Sequence, residues 1–243
     1  LELPTVFRAP EDEADPAATV IEAEDFSPEW EVDRFAWPAI CERLLETQSR
    51  YFEHVGQRLL DATSENHHVI MISGSRRGEG RTTLAMCLAR CATQAGVRVA
   101  LVDADMQNPE LAPNLGMETP CSWLDALAGT ATLGEVAVAS IEDRLTLIPL
   151  VGSEQVDILA GDRRLIGLLR KISTHFPLVI VDAGPVLSRG SHLFDGEDSC
   201  PIDTAIVVRD LRNTTETEAM ATAEGLQQSG IQAVGVAENF RAA

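Results

Sequence analysis

Apolar positions along the chain fall into two alternating patterns. Short continuous runs at 69–73, 97–102, 145–148, 178–181, 204–208 and 231–236 predict strands buried on both faces. Between them, the segments 81–94, 123–128, 162–175 and 215–228 space their apolar residues as helices do. Gly96 supplies a stop signal for the first of these. A further helix is predicted after Pro38, with Ile40, Leu44, Leu45, Tyr51, Phe52 and Val55 as its apolar set. Strands alternating with helices predict an α/β fold: a mainly parallel sheet with helices on both faces. Residues 36–243 form the predicted domain.

Composition changes this picture at the N-terminal end. Residues 1–35 hold eleven Asp or Glu against Arg8 and Arg34, with several prolines and little periodicity. They predict a disordered acidic arm or linker, with Trp30, Phe35 and Trp37 as candidate anchors. The whole chain of 243 residues carries a net charge of −19, which argues against nucleic-acid partners. Five cysteines without framework spacing fit a reducing, cytoplasmic setting, and Cys87 and Cys91 read as buried small residues of a helix. No apolar run spans a bilayer. A start at Leu1 fits a piece of a longer protein.

The chemistry is concentrated where strands end. Ser75-Arg76-Arg77-Gly78-Glu79-Gly80-Arg81-Thr82-Thr83 follows an apolar strand and opens a helix. A glycine-bearing turn lets several backbone N–H groups face one phosphate chain, and the helix N-terminus adds partial positive charge. Thr82 is the candidate magnesium-binding hydroxyl, with Thr83 beside it. Asp103 and Asp105 end a second strand and Asp182 a third, the edge at which open α/β sheets bind ligands. Together with Thr82 they form the candidate magnesium set, and Arg81, Asp103 and Asp182 the candidate catalytic set. ATP or ADP with Mg2+ is the expected ligand. His67 and His68 read as surface residues, no G-x-S-x-G elbow surrounds Ser188 or Ser191, and the segment 195–198 reads as a solvated acidic loop.

The glycine loop, Val102-Asp103-Ala104-Asp105 and Val181-Asp182-Ala183-Gly184-Pro185 together resemble the deviant Walker-A branch of the P-loop NTPases. Within that branch the chain resembles the bacterial tyrosine kinases of capsule and exopolysaccharide synthesis. The likeness is carried by Gly78-Glu79-Gly80 with its following basic residue and Thr, by residues 101–109, and by residues 178–187. Weaker likenesses lie at 123–129 and 235–239. The resemblance implies a P-loop fold, a membrane polysaccharide-export partner, a homo-oligomer, and a place at the inner membrane face through a partner or another segment. It also implies that Asn239 contacts the adenine.

The departures bear on activity. The loop lysine of the family is Arg81 here, and its first glycine is Ser75. Arg76 stands where partition-type relatives carry a signature lysine; it either reaches phosphate across a dimer or is a solvated loop arginine. Gln107 and Gly184 replace an arginine and a proline of the kinases. Tyr51 is the only tyrosine, so the kinases' tyrosine-rich tail has no counterpart in this sequence. Glu42, Arg43, Glu46 and Arg50 loosely resemble an oligomerisation pattern and equally fit exposed helix charges. Three functions stay open: a nucleotide-binding, kinase-like protein with weakened phosphotransfer; an active ATPase or kinase acting on another protein; and a scaffold without nucleotide.

Overall fold

A computed structural model describes residues 26–65, 67–151, 163–185 and 200–240. Eight strands among these residues form one sheet: β1 (Trp30–Val32), β2 (Val69–Gly74), β3 (Val99–Ala104), β4 (Val138–Ser140), β5 (Leu145–Ile148), β6 (Leu178–Pro185), β7 (Thr204–Asp210) and β8 (Ala233–Asn239). Their order is β1-β4-β5-β3-β6-β2-β7-β8. Every neighbouring pair is parallel except β4 with β5. The described helices are α1 (Ala39–Thr47), α2 (Ser49–Ser64), α3 (Arg81–Gln94), α4 (Leu111–Asn114), α5 (Trp123–Ala128), α6 (Leu133–Val136), α7 (Arg163–His175) and α8 (Glu216–Gln228).

The continuous apolar runs are explained by burial on two sides. Val69, Met71, Val179 and Val181 face a core shared with Trp123, Leu169, Ile172 and Ala219 of α5, α7 and α8. Ile70, Ile72, Leu178 and Ile180 face a second core shared with Met86, Cys87 and Leu88 of α3 and with Cys41 and Phe52 of α1 and α2. Alternation of side chains along each strand sends successive residues to opposite cores. Cys87 and Cys91 are buried on α3, as their spacing predicts. Among the described residues, no helix is long and apolar enough to cross a membrane.

The boundary drawn at residue 36 needs correction for the described part of the arm. Phe26 packs edge-on against Phe176 at 5.5 Å, β1 pairs with β4, and Phe35 is buried. Asp143 clamps this segment to the β4–β5 turn. It accepts the Phe35 N–H at 2.9 Å and the Trp37 indole N–H at 3.1 Å, and pairs with Arg90 of α3. Strand β4, running antiparallel to β5, also has no counterpart in the sequence reading. At three residues each, β1 and β4 are too short for a periodic signal. The segments around Ser188, Ser191 and 195–198 lie outside the described residues.

Candidate nucleotide site

The three central strands β3, β6 and β2 lie side by side, and their C-terminal ends bring the predicted residues together. Asp103 and Asp182 are register partners across β3 and β6. The chain leaving β2 turns through residues 75–80 into α3. Gly78 and Gly80 adopt φ of +79° and +92°, left-handed backbone that costs other residues about 1–2 kcal/mol. A Cβ on Gly80 would also lie 2.4 Å from the Asn239 side-chain nitrogen. At Gly74 a Cβ would lie 2.2 Å from a Glu79 carboxylate oxygen. These contacts explain why the loop needs small residues at both ends. Ser75 is tolerated at the first glycine position because its hydroxyl turns onto α8, 2.7 Å from the Thr222 hydroxyl.

Arg81, the first residue of α3, is only 7% exposed. Its guanidinium crosses to the neighbouring strand ends, donating to the Ala183 carbonyl and lying 3.4 Å from Asp105 Oδ2. Its Nε has no partner. The other oxygen of Asp105 accepts the Gln107 and Asn108 N–H groups, both at 3.2 Å. Asp103 accepts the Leu111 N–H at 3.0 Å on one oxygen and the Asp105 N–H at 3.2 Å on the other. Its carbonyl receives the Trp123 indole N–H at 2.6 Å. Burial, reinforced by the Asp182 charge, raises the Asp103 carboxyl well above its usual range. Burial pushes Asp182 up to about 7, against the opposing pull of the Thr82 hydroxyl and then of Arg81.

The three acids meet at these strand ends, with Asp103 beside Asp182 in register, but they are not equivalent there. Each oxygen of Asp103 and Asp105 already accepts a hydrogen bond. Among the described residues, no three His, Cys, Asp or Glu side chains group as a metal cage. Asp182 differs: its Oδ1 is buried and has no partner. An unpaired carboxylate oxygen beside a threonine hydroxyl fits a magnesium ion that takes most of its ligands from phosphates and water.

The flanking residues also find definite places. Arg76 pairs with Glu218, the N3 residue of the capping box that opens α8. The pair lies at the surface, with the Arg76 side chain 55% exposed. Backbone donation from Thr215, and then Arg76, pulls Glu218 down to about 2. Arg77 reaches Gln107 at 3.2 Å. Glu79 is buried under the loop, accepting the Arg76 N–H at 2.9 Å and the Thr214 hydroxyl at 2.6 Å. Asn239 donates to the Glu79 carbonyl at 2.9 Å and accepts the Phe240 N–H. Its amide therefore braces the loop, while the same residue borders a cavity of about 820 Å³. That cavity runs from Gly80 and Thr83 to Tyr51 and Phe240, beside the ends of β7 and β8. Sequence reasoning missed Thr214, Glu218 and Thr222, which hold the loop from more than 130 residues away. The capping-box spacing of Thr215 and Glu218 was the one local signal.

A glycine loop between a central strand and a helix, faced by strand-end acids, defines a nucleotide-loop α/β protein with the fold of the P-loop NTPases. A family model described as an AAA domain matches residues 67–192, just over half of the sequence, and the chain belongs to that family. Among curated proteins, it is 25% identical over 175 residues to the putative tyrosine-protein kinase EpsB of Ralstonia nicotianae, covering 71% of this chain and 23% of that protein. It is 27% identical over 175 residues to the tyrosine-protein kinase wzc of Salmonella typhi, covering 71% and 24%. The chain thus spans about a quarter of the length of these relatives. Among solved structures, the VpsO kinase domain matches with a TM-score of 0.70 and 22% identity, covering 84% of this chain and all of that one. The septum site-determining protein MinD of Pyrococcus horikoshii, complexed with Mg-ADP, matches with a TM-score of 0.60 and 22% identity over 70% of this chain and 68% of that one. At these identities the structural matches establish the fold.

Proposed function

We propose that the chain is a nucleotide-binding, tyrosine-kinase-like protein of exopolysaccharide synthesis or export, whose phosphotransfer is weakened. The phosphates of ATP or ADP would lie against the backbone of residues 75–83 and the N-terminus of α3. Thr82 and Asp182 would hold Mg2+, which supplies charge neutralisation of the phosphates when bound. Asn239 and the cavity beside Gly80 are where the base would lie. Relatives named as tyrosine-protein kinases support the class. From the same likeness we take a membrane polysaccharide-export component as the partner, and self-association and a cytoplasmic membrane face as the setting.

The observation that carries the weakened chemistry is the place of Arg81. Its guanidinium is held by Asp105 and the Ala183 carbonyl, where a lysine amine would act as a compact point charge. Backbone N–H groups remain to bind phosphate, so affinity depends little on this residue. Transition-state stabilisation needs the charge placed on the transferring group, and losing one such contact slows chemistry roughly a hundred- to a thousandfold. Calorimetric titration of ATP and turnover of labelled ATP, in the parent and in Arg81→Lys, test this reading. The expected result is similar affinity with a large gain in turnover. No binding at millimolar ATP would favour a scaffold, and brisk turnover by the parent an active enzyme.

A further inference from the structure

The opposite edge of the sheet carries a second cavity, of about 590 Å³. It opens at the N-terminal ends of β3, β5 and β6, one strand length from the glycine loop. Arg98 and Arg144 line it, with His175 at the end of α7 and the rings of Phe26 and Phe176. No Asp or Glu is among the described residues that line it. This is notable in a chain with 38 acids and 19 basic side chains.

Arg98 and Arg144 immediately precede Val99 and Leu145, which are register partners on parallel strands. The two arginines are therefore neighbours, at roughly the 4.8 Å strand spacing where they enter the sheet. Like charges so placed repel. Neither is paired with a carboxylate among the described residues. Arg144 also adopts φ of +54°, a left-handed conformation in the β4–β5 turn where Gly or Asn would be less strained. A strained backbone under a charged, unpartnered side chain points to a use for that side chain.

We propose that this cavity binds a small phosphorylated molecule, its phosphate held between Arg98 and Arg144. A dianion relieves the repulsion of both guanidinium groups, and the guanidinium fork matches phosphate oxygens. The volume lies in the range of small-molecule sites, about 300–1,000 Å³. The Phe26 and Phe176 rings offer a surface for the ligand's uncharged part, with the His175 ring tilted against Phe26 at 5.3 Å. The site is separate from the nucleotide loop and does not rest on the function proposed for it.

Thermal melts and calorimetry with sodium pyrophosphate, against sodium chloride at matched ionic strength, test the proposal. Pyrophosphate is expected to raise the melting midpoint of the parent by several degrees. The double variant Arg98→Gln, Arg144→Gln is expected to melt cooperatively, at or above the parent's midpoint in chloride, because the repulsion is gone. It should lose the share of the response that this cavity supplies, its affinity there falling about tenfold or more, so that calorimetry counts one pyrophosphate site fewer than in the parent whether or not the glycine loop also binds. The loop variant Thr82→Ala should keep the response. An equal number of pyrophosphate sites in the parent and the double variant, or a site lost with Thr82→Ala instead, overturns the proposal. So does a parent that responds only after removal of residues 1–25, which would make the acidic arm the occupant.

Discussion

The two ends of the sheet handle charge in opposite ways. At the C-terminal ends of β3 and β6, Arg81, Asp103, Asp105 and Asp182 are buried and largely matched to one another and to backbone groups. At the N-terminal ends, Arg98 and Arg144 are exposed and unmatched. Burial makes the first group expensive to disturb, because a desolvated charge that loses its partner cannot recover water. Solvent makes the second cheap to keep and available to a ligand. The candidate-site end is therefore a structural asset in its own right, whereas Arg98 and Arg144 at the opposite end would be stabilised only by an occupant.

Breaking the matched end should give the largest effect. Arg81→Met leaves the buried acids without their cation and should destabilise the protein by about 3 kcal/mol at pH 8. The loss should shrink below pH 5, where the raised carboxyls are protonated, and urea melts at both pH values read it. The opposite edge also holds matched charges, among them Asp143 in the β4–β5 turn. Asp143→Ala strips the acceptor from the Phe35 N–H and the Trp37 indole, and should cost about 2 kcal/mol. A cost near zero in the same assay would mean that the first strand is not held from this turn.

Asp182 sharpens the comparison through pH. Its folded pKa of about 7 lies above the ordinary value of a carboxyl. Between about pH 4 and pH 7 the folded protein keeps a proton that the unfolded chain has released. Its contribution to stability is thus complete at low pH and is lost as pH rises through 7. Asp182→Asn should flatten that part of the stability profile, and an unchanged slope in pH-dependent melts would assign it elsewhere. The smallest expected effect is at the unmatched end. Arg144→Gly removes both the left-handed strain and one like charge, and should raise stability by up to about 1 kcal/mol in the absence of ligand. A decrease would reveal a partner for Arg144.

The parts of the molecule that were legible beforehand share one property: their signal is local. The strands that became β2, β3, β5, β6, β7 and β8 each carry enough apolar residues to be recognised, with ends that coincide or shift by up to four residues. The loop at 75–83 and the acids at 103 and 182 were legible because strand ends recruit polar groups that the strand interior excludes. Strands β1 and β4 were not legible, since three residues cannot establish a period and Asp143 reaches Phe35 and Trp37 across more than 100 positions. The same holds for the brace beneath the loop, where Glu79, Thr214 and Asn239 meet from three distant segments.

The sequence alone determined the fold class, the order of its main elements and the place of the glycine loop, because apolar periodicity and glycine spacing act over a few residues. Tertiary structure decided the direction of Arg81, the pairing of Arg76 with Glu218, and the difference between Asp182 and its two neighbouring acids. Each is a competition among partners for one charged side chain. Its outcome depends on which backbone donors and carboxylates the folded strands bring within about 3 Å, which spacing along the chain does not encode.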